Sequence, residues 1–180
     1  MPNLGRWSIE VSANSMPQKV ATAIGELKEK LVGAEYDPIA YLGSQEVNGV
    51  NHAVLAEQTL TTGRDTKNVV LLIFNEKGMD CTLVNIERVV EGGGDLGGTY
   101  IKVQAELPME ARQLFNNMFQ TGWVGTNVEP IFFIGTQMTK GVDYKYICKV
   151  TPVTPDPEPY ISLVTINSMD KTCRFDTIIG

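Results

Sequence analysis

An internal repeat constrains the fold of this chain more than any other feature. Residues 7–17 and 100–108 each contain an Ile-x-Val-x-Ala core that runs into a proline. Apolar and polar positions alternate in both segments as in a half-buried strand, and a helical pattern follows each proline. We therefore predict that one supersecondary unit occurs twice.

A second pair of similar segments and a glycine-rich stretch indicate where the two units begin and end. Residues 61–67 and 139–145 both read Thr-x-Gly-x-Asp-x-Lys, between two apolar strand patterns. Five glycines among residues 92–98 suit a flexible connection. The predicted domains are 1–91 and 99–180, joined by a linker at 92–98.

The first unit is predicted to be α+β, with one α-helix packed on an antiparallel sheet. Ser15 and Gln18 have the spacing of a capping box. An apolar stripe at helical spacing follows, and Gly25 within it predicts a sheet close to the helix backbone. The stripe consists of Val20, Ile24, Leu27 and Leu31, and the predicted strands after it are 38–47, 52–61, 68–74 and 81–90.

The second unit is predicted to repeat this α+β arrangement more loosely. A strand at 99–106 precedes a helix near 108–120, and further strands are expected near 130–139, 144–151, 160–167 and 172–179. By this alignment, about ten residues that would match 34–43 are missing. Its second strand is therefore predicted to be short or absent.

Charge and cysteine content exclude several classes of function. The net charge is −6, and the lysines and arginines form no cluster, so neither nucleic acid nor an anionic membrane surface is an expected partner. No apolar run has the roughly 18–20 residues of a membrane span, and no signal peptide begins the chain. Free thiols at Cys81, Cys148 and Cys173 are expected, with a Cys148–Cys173 pairing left open. The predicted location is cytoplasmic.

The sequence assembles no catalytic, cofactor or metal site. Gly92-x-Gly94-x-x-Gly97 matches a dinucleotide-binding string, but a strand pattern follows it where that site requires a helix. His52 is the single histidine, so a catalytic Cys–His pair would depend on it, and a surface histidine is the commoner case. One histidine and three scattered cysteines give no metal-ligand spacing. We predict that the protein is not an enzyme and binds no cofactor and no metal.

A hairpin in the first unit carries a resemblance to a known family. Gln45-x-Val47-x-Gly49 lies between two apolar strand patterns, and a tight turn explains Gly49 but not Gln45 or Val47. The same Gln-x-Val-x-Gly string characterises the cystatins, and residues 5–90 resemble a stefin, the intracellular type. The chain as a whole resembles a tandem cystatin-like protein with a degenerate second repeat.

The resemblance implies reversible, noncovalent inhibition of papain-like cysteine proteases. Three segments would form a wedge in the active-site cleft. Carried over to this chain, they are Leu4 and Gly5, the first hairpin (Gln45, Glu46, Val47, Asn48 and Gly49) and the second hairpin (Asn75, Glu76, Lys77, Gly78 and Met79). The expected state is a monomer or a domain-swapped dimer. The alternatives are a non-inhibitory protein-binding module with a tandem cystatin fold, or an inhibitor of another protease class.

The second unit is predicted to carry a degraded form of the same signature at 121–127. Trp123 stands at the valine position there and Thr121 at the glutamine position. Trp123 is thus a candidate binding residue of the second unit, and packing in the core is the competing interpretation.

Overall fold

The computed structural model describes residues 5–61, 64, 66–120 and 123–180. The chain separates into two compact units, Met1–Glu91 and Gly92–Gly180. The elements of the first unit are β1 (Trp7–Ser12), α1 (Gln18–Lys30), β2 (Ala34–Val47), β3 (Gly49–Leu60), β4 (Thr66–Lys77) and β5 (Asp80–Val90). Those of the second are β6 (Tyr100–Gln104), α2 (Met109–Phe119), β7 (Thr126–Thr139), β8 (Gly141–Pro152), β9 (Tyr160–Asn167) and β10 (Cys173–Ile179).

The structure corrects the predicted fold class. Strands account for 58% of the chain, in two five-stranded antiparallel sheets, and the described part of the chain has only two helices. The class is therefore mostly β, and the prediction of α+β units, each one helix on a sheet, is wrong. Both faces are buried at the centre of the first sheet: Val54 and Leu72 lie in the cluster that includes α1, while their neighbours Leu55 and Leu71 on the opposite face are at most 2% exposed. The helix thus accounts for only part of the burial.

Helix α1 matches its predicted stripe at every position but the last, since Leu27 also packs, partly buried, against the core cluster. Val20 and Ile24 are buried with Ala23 against the sheet, whereas Leu31 ends the helix and is exposed. The predicted capping box does not form, because Pro17 occupies the cap position and Ser15 bonds to Ser12 instead. The expected close approach at Gly25 is also wrong, since a Cβ atom there would meet nothing within 4 Å.

The second unit is less degraded than its sequence suggested. Strand β7 has 14 residues, as β2 has, so the prediction of a short or absent second strand is wrong. Residues 92–98 lie in the second unit, where Gly94–Leu96 forms a 3₁₀ turn and Gly92 bridges to Thr99. Strand β6 follows this turn, so the glycine string does not lead into a helix.

The first three strands of the two units pair in the same register. Ile9 pairs with Gly43 in the first unit, and Ile101 pairs with Gly135 in the second, so equivalent residues are 92 positions apart. Strands β2 and β7 have irregularities at equivalent places, after Pro38 and after Pro130. The sequence similarity between 61–67 and 139–145 implies a different distance between equivalent residues. It is wrong as an alignment, because 139–141 forms a turn between β7 and β8.

In the described residues, neither helix combines the length and the apolar composition that crossing a bilayer requires.

Candidate functional site

One end of the first sheet brings the predicted binding segments together. Glu46 pairs with Val50 and Val50 pairs with Glu76, so the β2–β3 and β4–β5 turns lie side by side. The Gly5 amide donates to the Glu46 carbonyl at 2.8 Å, which brings the chain before β1 to the same end. We call this end, with Gly5 and the hairpins 45–49 and 75–79, the first edge. Leu4 lies outside the described residues.

Three side-chain amides connect the segments of the first edge. Gln45 Nε2 donates to the Gly5 carbonyl at 2.8 Å, and its Oε1 accepts from Asn51 Nδ2 at 3.1 Å. Asn75 Nδ2 donates to Asn51 Oδ1 at 2.9 Å and to the Asn48 carbonyl at 3.4 Å. This amide relay explains why the sequence needs Gln45: it fixes the N-terminal segment to the first hairpin. Asn51, which the sequence analysis did not single out, joins that hairpin to the second.

A network of charged side chains stabilises the second hairpin on the side that faces α1. Lys19 Nζ donates to Glu76 Oε1 at 2.9 Å and to the Gly78 carbonyl at 2.7 Å. His52 Nε2 lies 2.9 Å from Glu76 Oε2, and its Nδ1 lies 2.8 Å from the Tyr41 hydroxyl. The hydrogen bonds from Lys19 and then His52 hold the pKa of Glu76 below its ordinary value. Glu76 is therefore an ionised acceptor that holds the turn in place.

The turns themselves expose apolar side chains. Gly49 has a φ of 92°, and a Cβ atom there would lie 2.4 Å from the Glu76 carbonyl oxygen, so the turn and the close approach of β4 both require glycine. Val47 is 37% exposed and Met79 is 94% exposed. Because Val47 and Met79 are exposed, their side chains are available for contact with a partner.

The geometry does not support a Cys–His pair. Both ring nitrogens of His52 are engaged, with Tyr41 and Glu76, so neither is left to activate a thiol. Burial raises the pKa of all three cysteines, that of Cys173 to about 11, whereas a nucleophilic cysteine needs a lowered pKa. The three cysteines are unpaired, so no Cys148–Cys173 disulfide is present.

Comparison with known proteins identifies no relative. No family model, no curated protein and no solved structure matches the chain.

The second unit has its own version of the signature, at a place the sequence analysis missed. The residues equivalent to 45–49 are Gln137-x-Thr139-x-Gly141, so the assignment of the degraded signature to 121–127 is wrong. Thr121 and Gly122 lie outside the described residues. Pro-Ile-x-x-x-Gly-x-Gln occurs at both 38–45 and 130–137, and this string could have revealed the register.

Trp123 packs in an aromatic cluster and lies outside the turn between β7 and β8. Its ring centroid lies 5.3 Å from that of Phe119 and 5.3 Å from that of Phe175. One side of the ring remains exposed to solvent. Trp123 therefore contributes to the packing of α2 on the sheet, and it does not occupy the valine position of the hairpin.

A buried lysine takes part in the polar contacts behind the second hairpin signature. Lys145 Nζ donates to Thr99 Oγ1 at 2.9 Å and to Gln137 Oε1 at 2.8 Å, and both partners are neutral. Burial lowers the pKa of Lys145, and the nearby charges of Asp143, Arg174 and Asp176 modify this effect.

We expect Lys145 to make stability rise with pH. Because its pKa is lower in the folded chain than in the unfolded chain, the unfolded chain binds more protons between these two values, and raising the pH favours folding. The free energy of unfolding of wild type minus that of Lys145→Met should therefore increase as the pH rises from 7 towards 10.5, the ordinary pKa of lysine, as measured by urea denaturation. Lys102→Met, which removes an exposed lysine of β6, is the control. A difference that stays constant with pH for Lys145→Met would contradict the prediction.

Proposed function

We propose that the protein is a reversible, noncovalent inhibitor of papain-like cysteine proteases and that the first edge is its binding surface. The observation that carries the proposal is the convergence of Gly5, the 45–49 hairpin and the 75–79 hairpin, joined by the amide relay. The cystatin resemblance of Gln45-x-Val47-x-Gly49 supplies the class of target.

The rigidity of the first edge supports this function. A loop that is ordered before binding loses little conformational entropy when it enters a cleft, so more of the contact energy appears as affinity. Gly49 fixes the first turn, and the Lys19 bond to the Gly78 carbonyl fixes the second. Val47 and Met79 then supply exposed apolar side chains at the turns, and a few such well-packed residues account for most of the binding energy of a protein interface.

The proposed mode of action needs no catalytic group on this chain. A hairpin that fills the cleft keeps substrate away from the protease nucleophile without presenting a scissile bond in reactive geometry. We therefore also propose that the protein is not an enzyme. Its three unpaired thiols suit a reducing compartment, and we propose a cytoplasmic location.

Replacing Val47 by a charged residue tests the proposal. We expect Val47→Asp to weaken inhibition of papain at least about 100-fold, because a carboxylate would be transferred from water into an apolar cleft. The measurement is the inhibition constant from titrations of papain and of cathepsin L with the full chain. Val32→Asp is the matched control, because Val32 is fully exposed and precedes the opposite end of β2.

Two results would contradict the proposal. Absence of inhibition by the folded wild type at micromolar concentration would exclude this class of target. Equal inhibition by wild type and Val47→Asp would show that the first edge is not the contact surface.

A further inference from the structure

The second unit repeats all three segments of the first edge. Leu96 and Gly97 stand 92 residues after Leu4 and Gly5, as Gln137 and Gly141 stand after Gln45 and Gly49. Gly97 has a φ of 89°, and Gly5 has a φ of 87°. Asn167 is equivalent to Asn75, so the turn 168–172 between β9 and β10 corresponds to the part of the second hairpin that follows Asn75. We call Leu96, Gly97 and the turns 137–141 and 168–172 the second edge.

Two links of the amide relay are repeated, whereas the link from Asn51 to Gln45 is replaced, because Asp143 has no donor and Gln137 Oε1 accepts from Lys145 instead. Gln137 Nε2 donates to the Gly97 carbonyl at 2.8 Å, as Gln45 does to Gly5. Asn167 Nδ2 donates to Asp143 Oδ1 at 2.8 Å and to the Lys140 carbonyl at 3.2 Å, as Asn75 does to Asn51 and Asn48. Asn167 Oδ1 also accepts from the amides of Met169 and Asp170, which orders the second turn. The second edge is therefore ordered before it meets a partner.

Each segment of the second edge exposes one apolar side chain. Leu96 is 72% exposed, Met138 is 64% exposed and Met169 is 63% exposed. One such side chain on a surface is ordinary, but three on adjacent segments of one sheet end form an apolar patch. Unbranched methionine side chains adapt their shape to an irregular cleft.

The charge on the second edge differs from that on the first. Across 45–51 and 75–81, Glu46, Glu76 and Asp80 outweigh Lys77, which leaves a net charge of −2. Across 137–143 and 167–173, Asp143 and Asp170 balance Lys140 and Lys171. The second edge therefore has the same frame without the excess negative charge.

We propose that the second edge is a second protease-binding surface, which enters the active-site cleft of a papain-like cysteine protease independently of the first edge. This inference rests on the proposed function, because the class of target comes from the first edge. It assigns the contacts to Leu96, Met138 and Met169, and it makes Gln137 a positioning residue.

The test uses the full chain with the first edge disabled. In the Val47→Asp background, we expect a residual inhibition of papain and cathepsin L by the second edge that is at least about 100-fold weaker than inhibition by wild type, and we expect added Met138→Asp to weaken it at least about tenfold further. Val153→Asp, an exposed position just beyond the end of β8, is the matched control and should leave the residual inhibition unchanged. Circular dichroism of each variant verifies that it is folded.

The outcomes separate this inference from the proposed function. Strong inhibition by wild type with none left in Val47→Asp would overturn the second edge and keep the first. Residual inhibition that Met138→Asp does not change would also overturn it. No inhibition by wild type would overturn both proposals. Residual inhibition that Met138→Asp removes and Val153→Asp retains would support the second edge.

Discussion

Gly43→Ala is expected to lower the free energy of unfolding by about 3 kcal/mol, because the new methyl group has no space. A Cβ atom at Gly43 would lie 2.2 Å from the Ser8 carbonyl oxygen and 3.2 Å from the Ile9 Cα atom. Both are backbone atoms of β1, so relief requires the strand to move away from β2. The backbone φ of 153° at Gly43 adds strain for any residue with a side chain.

Urea denaturation followed by circular dichroism measures this effect, and Gly25→Ala provides a control of opposite sign. The Cβ atom of an alanine at position 25 would be unobstructed, so we expect it to stabilise α1 by about 1 kcal/mol. Hydrogen exchange should show loss of protection in β1 for Gly43→Ala alone. Wild-type stability in Gly43→Ala would contradict the close pairing of β1 with β2.

The largest expected loss is in the core of the second unit, where Tyr146→Ala should cost about 4 kcal/mol. Tyr146 is fully buried, and its ring lies 5.1 Å from that of Phe115 and 5.7 Å from that of Phe133, measured between centroids. Its hydroxyl donates to the Ala111 carbonyl of α2 at 2.6 Å. Removal of this side chain therefore leaves a cavity between the helix and the sheet.

Two further variants divide the effect of Tyr146→Ala into its parts. Tyr146→Phe keeps the ring and removes the bond to Ala111, so about 1 kcal/mol is expected. Val54 is the equivalent residue of the first unit, and Val54→Ala should cost about 2 kcal/mol because less volume is lost. If Tyr146→Phe cost as much as Tyr146→Ala, the hydroxyl and not the ring would dominate. If neither Tyr146→Ala nor Tyr146→Phe changed stability, the packing of α2 on Tyr146 would be contradicted.

Side-chain periodicity predicted the local elements better than it predicted their extent. The stripe of α1 was recognisable because Val20 and Ile24 recur at helical spacing, and both are buried. Several strands are longer than predicted: β2 begins at Ala34 and continues through Pro38, and proline normally argues against a strand interior. The irregularity in strand pairing after Pro38 accommodates the proline, and no sequence pattern predicts this irregularity.

The first edge was predictable in its residues but not in its hydrogen bonds. Gln45 and Gly49 were chosen from a short string, whereas Asn51 has no distinguishing neighbours in the sequence and acquires its role only when β3 lies between β2 and β4. The second edge was missed for a related reason. Seven residues of similar composition at 61–67 and 139–145 suggested one alignment, whereas strand pairing and the shared Pro-Ile-x-x-x-Gly-x-Gln string both match Gly135 with Gly43.

The repeated frame has a consequence for how recognition can change in this architecture. The turn glycines and the relay to the N-terminal segment specify the backbone at each edge, while Glu46 and Met138 occupy the same place with unrelated side chains. Tip residues can therefore be exchanged between the copies without redesigning the scaffold. A duplicated unit of this kind can keep one specificity while the other drifts towards a new target.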